Sequence, residues 1–176
     1  MNQVRDGQLA RLGLLFERHH RRLYNFCLRL TGERQVAEDL TQEVFTRILK
    51  YRHTYRPDSD FLVWTYQMAR NAAADYFRKR TRRAEVDEEP CHDVASELPR
   101  PLEELESAQA VGLLHQALEK LPLEKRELLV MSRFQNLRHE QIAQILDCTV
   151  GAVKVRIHRA VKELRDIYLK VAEVTP

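Results

Sequence analysis

The chain has 176 residues, of which 44% are hydrophobic and only 11 are glycine or proline (five and six). This composition is typical of a helical globular protein with one domain or two small ones, and no apolar run is long enough for membrane insertion. Charged residues interrupt any signal-peptide core, and the three cysteines are an odd number and widely spaced, so we expect a reducing, cytoplasmic location. No Cys/His spacing matches a metal site, and we expect no cofactor.

Charge is segregated along the chain. Residues 1–83 hold 17 Lys/Arg and 9 Asp/Glu, a net charge of +8, whereas residues 84–110 hold 1 and 9, a net charge of −8. Residues 111–176 return to a net charge of +3. Basic blocks favour nucleic acid as a partner, but the acidic segment between them is unsuited to binding DNA.

The N-terminal half predicts three helices. Helical spacing of apolar residues predicts a first helix over Gln8–Leu30, ended by Thr31-Gly32, and a second over Arg34–Tyr51. A loop around Pro57 separates them from a third helix, Phe61–Lys79, which Asp60 or Ser59 can cap. The apolar side of the first helix contains Leu12, Leu15, Phe16, Leu23, Phe26, Cys27 and Leu30.

Two of these helices carry polar faces of interest. The second turns Glu38, Asp39, Gln42 and Glu43 outward; taken alone, such a face is most simply a solvated surface. The third places Gln67, Arg70, Asn71, Ala74 and Arg78 on one side, opposite Phe61, Met68, Ala72 and Tyr76. Amide and guanidinium groups flanked by aromatic rings suit unstacked single-stranded DNA. Trp64 fits either a core position or this surface.

The C-terminal half begins after an acidic, proline-flanked segment, Ala84–Pro101, which we interpret as a flexible linker. Cys91 and His92 within it are a weak sign of redox or metal sensing. Helices are then predicted over Leu102–Leu121 and, opened by Pro122, over Leu123–Phe134.

A helix-turn-helix is predicted over Leu137–Leu164. Asp147-Cys148-Thr149 breaks the helical pattern; Asp tolerates a left-handed turn, and Thr149 can cap the final helix. Because helices joined by so tight a turn cross steeply, the final helix can enter a DNA major groove. Its outward residues, together with Arg138 at the start of the preceding helix, are Ala152, Lys154, Val155, Arg156, His158, Arg159 and Lys162.

The order of these motifs resembles a known family. Ala37–Phe45 resembles the polymerase-binding segment of bacterial sigma factors of the small extracytoplasmic-function (ECF) group, and Tyr55–Asn71 resembles their promoter-melting loop and minus-ten recognition helix. The chain departs from the common family pattern at Ala152 and Val155, where hydroxyl residues are usual, and at Asp147, where Gly is usual. These departures affect base preference rather than fold.

The resemblance implies an all-α fold of two small helical domains, region 2 over residues 8–83 and region 4 over residues 105–170, joined by an acidic linker over residues 84–104. It implies a polymerase subunit without enzymatic activity that recognises promoters and helps to open them. The partners would be core RNA polymerase (the coiled-coil of its largest subunit and its flap), promoter DNA and an anti-sigma factor. In this family the connector threads the active-site cleft of polymerase, where an acidic segment can mimic RNA.

The resemblance also assigns residues to these roles. Polymerase binding falls to Asp39, Gln42 and Glu43. Minus-ten binding falls to Tyr55, Arg56, Asp58, Ser59, Phe61, Trp64, Gln67, Arg70, Asn71 and Arg78. Minus-thirty-five binding falls to Arg138, Ala152, Lys154, Val155, Arg156, His158, Arg159 and Lys162.

Two other functions fit part of the sequence. A helix-turn-helix repressor or activator that acts without polymerase would explain the C-terminal half, but it usually needs a dimer, and no strong dimerisation stripe is visible. An enzyme with a helical DNA-binding appendage would need a catalytic constellation, and the sequence offers neither a nucleophile–base pair nor a phosphate-binding glycine loop.

Overall fold

The computed structural model describes residues 1–84 and 102–174, and over this part of the chain the regular structure is entirely helical, which confirms the predicted all-α class. The segment interpreted as a flexible linker, including Cys91 and His92, lies outside the described residues. The helices are α1 (Asn2–Arg5), α2 (Arg11–Thr31), α3 (Arg34–Lys50), α4 (Phe61–Ala84), α5 (Leu102–Glu119), α6 (Leu123–Leu129), α7 (His139–Ile145) and α8 (Val150–Val174). A 3-10 turn at Arg52–Thr54 precedes the loop to α4, and a π-helical turn at Val130–Phe134 follows α6.

The N-terminal unit is built from α2, α3 and α4. Its core contains Phe26, Leu30, Val44 and Ile48, all completely buried, with the Phe26 ring packed edge-on against Tyr66 at 5.1 Å between centroids. Burial of each such side chain contributes about 1.5–3 kcal/mol to folding. The expected apolar side of α2 is fully buried only in its C-terminal half, while Leu12 and Leu15 are partly buried.

Phe16 shows this departure from the expected apolar side. It is 42% exposed, although its ring contacts Phe45 of α3 at 4.8 Å between centroids and stacks on His20. The helix ends as predicted at Gly32, whose φ of 74° is left-handed and therefore suits glycine.

Helix α4 continues to Ala84, past its predicted end at Lys79. Tertiary contacts account for the extension: Arg80 Nη1 lies 2.6 Å from Glu33 Oε1 at the start of α3, and the Tyr76 hydroxyl lies 3.3 Å from the same oxygen. Basic residues in the last turn also interact favourably with the negative end of the helix dipole. The basic run that follows the predicted end is thus part of the helix.

The C-terminal unit contains the predicted helix-turn-helix. Asp147 adopts a φ of 49°, and Thr149 Oγ1 accepts a hydrogen bond of 3.1 Å from the Ala152 amide, as expected of a turn residue and a helix cap. Ile142 of α7 and Val153 of α8 are fully buried where the two helices cross. The helix expected over Leu123–Phe134 is regular only to Leu129 and then widens into the π-helical turn.

The two units pack against each other. One continuous hydrophobic cluster runs from Phe26 and Tyr66 in the N-terminal unit to Met131, Ile142 and Val153 in the C-terminal unit. Contacts of α4 with α7, and of α2 with the π-helical turn, form the seam between them. Among the described helices, none combines the length and the apolarity that crossing a membrane requires.

Candidate polymerase and nucleic-acid interface

The acidic face of α3 is exposed. The buried side of the helix contains Ala37, Val44 and Ile48, whereas Asp39, Gln42 and Glu43 face solvent. This separation follows from helical periodicity, since residues three and four apart share a face. The three predicted polymerase-binding side chains therefore form one accessible polar strip.

Neighbouring side chains orient this strip. Gln35 Nε2 donates to Asp39 Oδ1 at 3.3 Å, and Arg47 Nε lies 2.7 Å from Glu43 Oε1. Arg47 also reaches Asp75 of α4 at 3.2 Å, so the Glu43 carboxylate is tied to the helix packed beside α3. Such surface pairs add little stability, but they limit the directions in which the carboxylate points.

The loop before α4 is braced from inside by Tyr55. This side chain is only 6% exposed, its hydroxyl donates to the Ser59 carbonyl at 2.7 Å, and its ring packs edge-on against Trp64 at 5.2 Å. Burial, with Asp60 and Asp58 adding to it, raises the pKa of Tyr55. Tyr55, which the resemblance assigns to minus-ten DNA, supports the loop from inside and does not face outward.

The other loop and aromatic positions are more accessible. Arg56 and Asp58 are exposed, while Ser59, Phe61 and Trp64 are partly buried. Phe61 lies between the His19 ring at 5.0 Å and the Trp64 ring at 6.4 Å. The first turn of α4 is fixed by Asp60, whose Oδ1 accepts from the Leu62 amide at 2.8 Å, so the predicted cap is Asp60 rather than Ser59.

One part of the predicted polar face of α4 is exposed, and another part is covered by the C-terminal unit. Asn71 and Arg78 are exposed, and Arg78 pairs with Asp75 one turn earlier. Gln67 and Arg70, in contrast, are partly buried and contact the C-terminal unit. As the chain is folded here, only part of the face assigned to minus-ten DNA is open to a ligand.

The outward surface of α8 is strongly basic. Val153, Ile157 and Ala160 anchor the helix, and the opposite side presents the predicted minus-thirty-five residues. Val155 is 51% exposed, as an apolar contact to a thymine methyl would require. The exposed predicted residues on this surface are Arg138, Lys154, Val155, Arg156, His158, Arg159 and Lys162, while Ala152 is partly buried.

A cleft borders this basic surface. It has a volume of about 310 Å³ and is lined by Arg133, His139, Lys154 and His158, among others. The charged side chains of Arg133 and Lys154 in this lining suit a phosphate group of a DNA backbone. Among the side chains that the structure describes, no group of three His, Cys, Asp or Glu residues could hold a metal ion.

Sequence patterns alone missed the buried polar residues of the C-terminal unit. Arg126, Glu127, Gln135 and Gln141 are each less than a tenth exposed, and each bonds to the N-terminal unit. The only indication in the sequence that these polar residues are buried is that apolar residues stand next to them. The partners lie between 57 and 96 positions away, and no local pattern reveals such pairs.

Comparison with known proteins places both halves of the chain in one family. Residues 15–83 match the family described as Sigma-70 region 2, and residues 112–164 match Sigma-70, region 4. The ECF RNA polymerase sigma factor SigE of Mycolicibacterium smegmatis is 34% identical over 92% of this chain, which spans 63% of that relative's length. The RNA polymerase sigma factor CarQ of Myxococcus xanthus is 31% identical over 95% of this chain and 94% of its own.

Solved structures show the same fold. The sigma factor RpoE in complex with the anti-sigma factor NepR, from Bartonella quintana, is similar with a TM-score of 0.73 and 21% identity, covering 93% of this chain and 98% of its own. CnrH, in complex with the cytosolic domain of CnrY, is similar with a TM-score of 0.71 and 22% identity, covering 94% of this chain and 92% of its own.

Proposed function

The chain belongs to the ECF sigma factors of the sigma-70 family, and we propose that it binds bacterial core RNA polymerase, directs it to promoters and promotes opening of their DNA. It acts as a specificity subunit and catalyses no reaction itself. One observation carries the proposal: a single chain exposes an acidic strip on α3 and, on α8, a basic recognition helix. In a protein that bound duplex DNA alone, the acidic strip would be only a solvated surface, whereas a polymerase subunit gives both surfaces a role.

The acidic strip is the polymerase-binding surface. Asp39, Gln42 and Glu43 would contact the coiled-coil of the largest polymerase subunit, and the C-terminal unit would contact the flap. The exposure of all three side chains supports this role. Complementary charge raises the rate of encounter and excludes wrong partners more than it raises affinity.

The α4 surface takes minus-ten DNA as a single strand. Asn71 is an exposed amide that matches the edges of unpaired bases, and Phe61 and Trp64 offer partly exposed rings for stacking. Extracting a base from the duplex costs a few kcal/mol, which such a pocket must recover. Arg56, Asp58, Ser59 and Arg78 would contact the strand around it, and Gln67 and Arg70 would join them.

The α8 surface reads minus-thirty-five DNA in the major groove. Lys154, Arg156 and Arg159 are exposed around the outward part of the helix and would reach bases or phosphates. A bidentate contact of Arg with guanine discriminates by about 1–3 kcal/mol, whereas contacts to phosphate only position the protein. The departures at Ala152 and Val155 would give this chain its own base preference.

An anti-sigma factor is a further partner. Both structural neighbours described above are complexes of a sigma factor, RpoE with the anti-sigma factor NepR and CnrH with the cytosolic domain of CnrY. A similar inhibitor of this chain would act in the cytoplasm by covering its polymerase-binding surfaces.

The decisive experiment combines the purified chain with bacterial core RNA polymerase and fragmented genomic DNA of the source organism, and maps the starts of the transcripts. Discrete starts that share two upstream motifs are expected. An absence of specific starts, with a folded and DNA-binding protein, would contradict the proposal and favour a helix-turn-helix repressor acting as a dimer.

The polymerase contact is tested by measuring the affinity of the chain for the same core polymerase. Asp39→Lys combined with Glu43→Lys should weaken binding to core polymerase at least tenfold, a loss of about 1.4 kcal/mol, while helical content is retained. Glu17→Lys combined with Asp6→Lys makes the same charge change at exposed acidic positions outside α3; it is the matched control and should bind normally. Equal affinity of the α3 variant and the unaltered chain would reject the assignment of α3.

A further inference from the structure

A pocket lies between α2 and the segment that ends the π-helical turn, and its residues belong to none of the surfaces assigned to polymerase or promoter DNA. It has a volume of about 540 Å³, and its lining consists of Arg22, Asn25, Arg29, Phe134, Gln135 and Asn136. Two of these residues are cationic, three are amides and none is acidic. Because small-molecule sites usually enclose about 300–1,000 Å³, the pocket is large enough for a ligand of several atoms.

The Arg29 side chain is held in place at one wall of the pocket. Its guanidinium carbon lies over the Phe134 ring, 4.5 Å from the ring centroid, and its Nη1 donates to the Asn25 carbonyl at 3.4 Å. A guanidinium stacked on an aromatic face keeps its N–H groups in its own plane, where they can donate to a ligand. Nη2 makes no hydrogen bond to the residues that the structure describes, so Arg29 has a donor to spare.

Arg22 faces the same pocket from one side of α2. Residues 22, 25 and 29 follow the spacing of a single helix face, which brings both guanidinium groups and the Asn25 amide to one wall. Arg22 Nη2 donates to the Gln135 carbonyl at 2.5 Å, so this side chain reaches across to the opposite wall. Two cationic groups are thus fixed on one concave surface.

Neither guanidinium has an acidic partner. Over the described part of the chain, no ion pair joins Arg22 or Arg29 to a carboxylate. Nε of Arg29 is buried without a hydrogen-bond partner there, and burial lowers the pKa of Arg29. A partly desolvated cation without a counter-ion is costly, and an anion that binds beside it offsets part of this cost.

Phosphate is the anion that these donors fit best. Guanidinium groups bind phosphate through paired N–H donors, and a phosphate group carries up to about two negative charges and three acceptor oxygens. It can therefore accept from two arginines and an amide together. A carboxylate has a single charge and two oxygens, so it satisfies fewer of the donors that line this pocket.

We propose that this pocket binds the phosphate group of a small molecule, which Arg22 and Arg29 hold from α2. The exposed amides of Asn25 and Asn136 provide further donors on either side of it. The proposal goes beyond the proposed function, which gives these residues no part in binding polymerase or promoter DNA. A ligand in the pocket contacts α2 and the segment after the π-helical turn together, so it stabilises the folded chain by mass action.

The test titrates the full chain with inorganic pyrophosphate in a calorimeter, without polymerase or DNA and at constant ionic strength. Saturable binding of one pyrophosphate per chain is expected, with a rise in melting temperature. Arg29→Gln should weaken this binding at least about tenfold, equivalent to about 1.4 kcal/mol. Arg11→Gln removes the same charge from an exposed position of α2, about 16 Å along the helix from Arg22, and should leave the affinity unchanged.

A second pair of variants leaves the core untouched. Asn136 has a φ of 50°, which aspartate and glycine also tolerate, so both Asn136→Asp and Asn136→Gly preserve the turn. Asn136→Asp places a negative charge in the pocket and should weaken pyrophosphate binding more than Asn136→Gly does. This order follows from charge and is not expected of a variant that merely disturbs the fold.

The outcomes separate the pocket from the proposed function. Absence of saturable binding at millimolar pyrophosphate, or equal affinities of Arg29→Gln and Arg11→Gln, would overturn the proposal. So would a chain in which Arg29→Gln weakens binding of a DNA duplex but not of pyrophosphate, because the cations would then belong to a DNA surface. Transcript mapping with polymerase is independent of each of these results, since it asks only whether the chain selects promoters.

Discussion

Asn71 is exposed and lies beside Arg70 and Gln67, two side chains that already donate hydrogen bonds to the C-terminal unit. It projects from the middle of α4, next to Arg70, and its amide offers both a donor and an acceptor to a base edge. We expect Asn71→Ala in the holoenzyme to slow open-complex formation about tenfold, equivalent to about 1.4 kcal/mol, and to change duplex binding less than about twofold. Permanganate reactivity of melted thymines and gel-shift affinity for the same promoter measure the two effects.

Asn25→Ala, at an exposed asparagine of α2, is the control for Asn71→Ala and should leave both measurements unchanged. Equal losses of duplex binding and of melting in Asn71→Ala would mean that the residue positions the helix and does not capture a base.

Asp147 adopts a backbone conformation that most residues avoid. Its φ is 49°, and left-handed geometry costs roughly 1–2 kcal/mol for ordinary L-residues, less for Asp, Asn and especially Gly. Asp147→Val should therefore lower the free energy of unfolding by about 1–2 kcal/mol, while Asp147→Asn and Asp147→Gly should stay close to the unaltered chain. Urea unfolding followed by circular dichroism measures this series, and a valine variant as stable as the asparagine variant would contradict the strain argument.

His19 makes stability depend on pH. Its Nδ1 is buried without a hydrogen-bond partner among the described residues, and burial, followed by Arg22 and Arg18, lowers the pKa of His19. Because the folded pKa lies below the unfolded value near 6.5, the folded state resists protonation. The contribution of His19 is complete above pH 6.5 and is lost as pH falls through the folded pKa.

Between pH 7.5 and 5.5 the unaltered chain should therefore lose stability, and His19→Gln should lose less. The difference is below about 1 kcal/mol, since the ring is only half-buried and water screens it. His53→Gln, at an exposed histidine, should lose as much as the unaltered chain. Parallel pH profiles of His19→Gln and the unaltered chain would exclude this role.

At the scale of single elements, α8 should act as a basic helix that neutralises DNA phosphates. Lys154 and Arg159 lie on its exposed side. Removing a side chain that binds one phosphate should reduce the slope of log affinity against log salt by about one, and removing a side chain that binds a base should also relax promoter choice. Alanine substitution of both residues, with Lys170→Ala near the end of α8 as the control, tests this by titration of a promoter duplex at several salt concentrations. An unchanged slope and unchanged promoter choice would place the duplex elsewhere.

Elements were predictable where their signals are local. The cap at Thr149, the turn at Asp147 and the end of α2 at Gly32 each depend on residues within a few positions, and the sequence contains all of them. The end of α4 was not predictable, because Arg80 is held by Glu33 of another helix. The burial of Tyr55 is likewise not visible in the sequence, because it depends on tertiary packing that includes the Trp64 ring.

At the scale of the whole molecule, the packing of the two helical units on each other cannot be predicted from helical periodicity. Two helical units and an acidic segment follow from composition and spacing, but the docking of one unit on the other depends on pairs such as Gln67 with Gln144. Each member of that pair is compatible with a solvated helix face when the sequence is considered alone. The sequence therefore predicts which residues form the candidate DNA surface. It does not predict that the C-terminal unit covers part of that surface.

Segregated charge is the remaining property of the whole chain, and it yields a prediction about transcription. In the proposed complex with polymerase, the net charge of −8 over residues 84–110 would complement basic channels that hold nucleic acid. If this segment occupies such a channel, the growing transcript must displace it. Replacing Glu85, Asp87, Glu88 and Glu89 by their amides should weaken its hold and lower the ratio of abortive to full-length transcripts.

The matched control makes the same charge change elsewhere, by replacing four acidic residues on the surface of the C-terminal unit with their amides: Glu124, Glu140, Asp166 and Glu173. Because net charge is then equal in the two variants, a difference between them reports the position of the charge and not its amount. Equal transcript ratios in a gel assay on one promoter would make the acidic segment a solubilising tether. A lower ratio confined to the first variant would place these carboxylates in the path of the RNA.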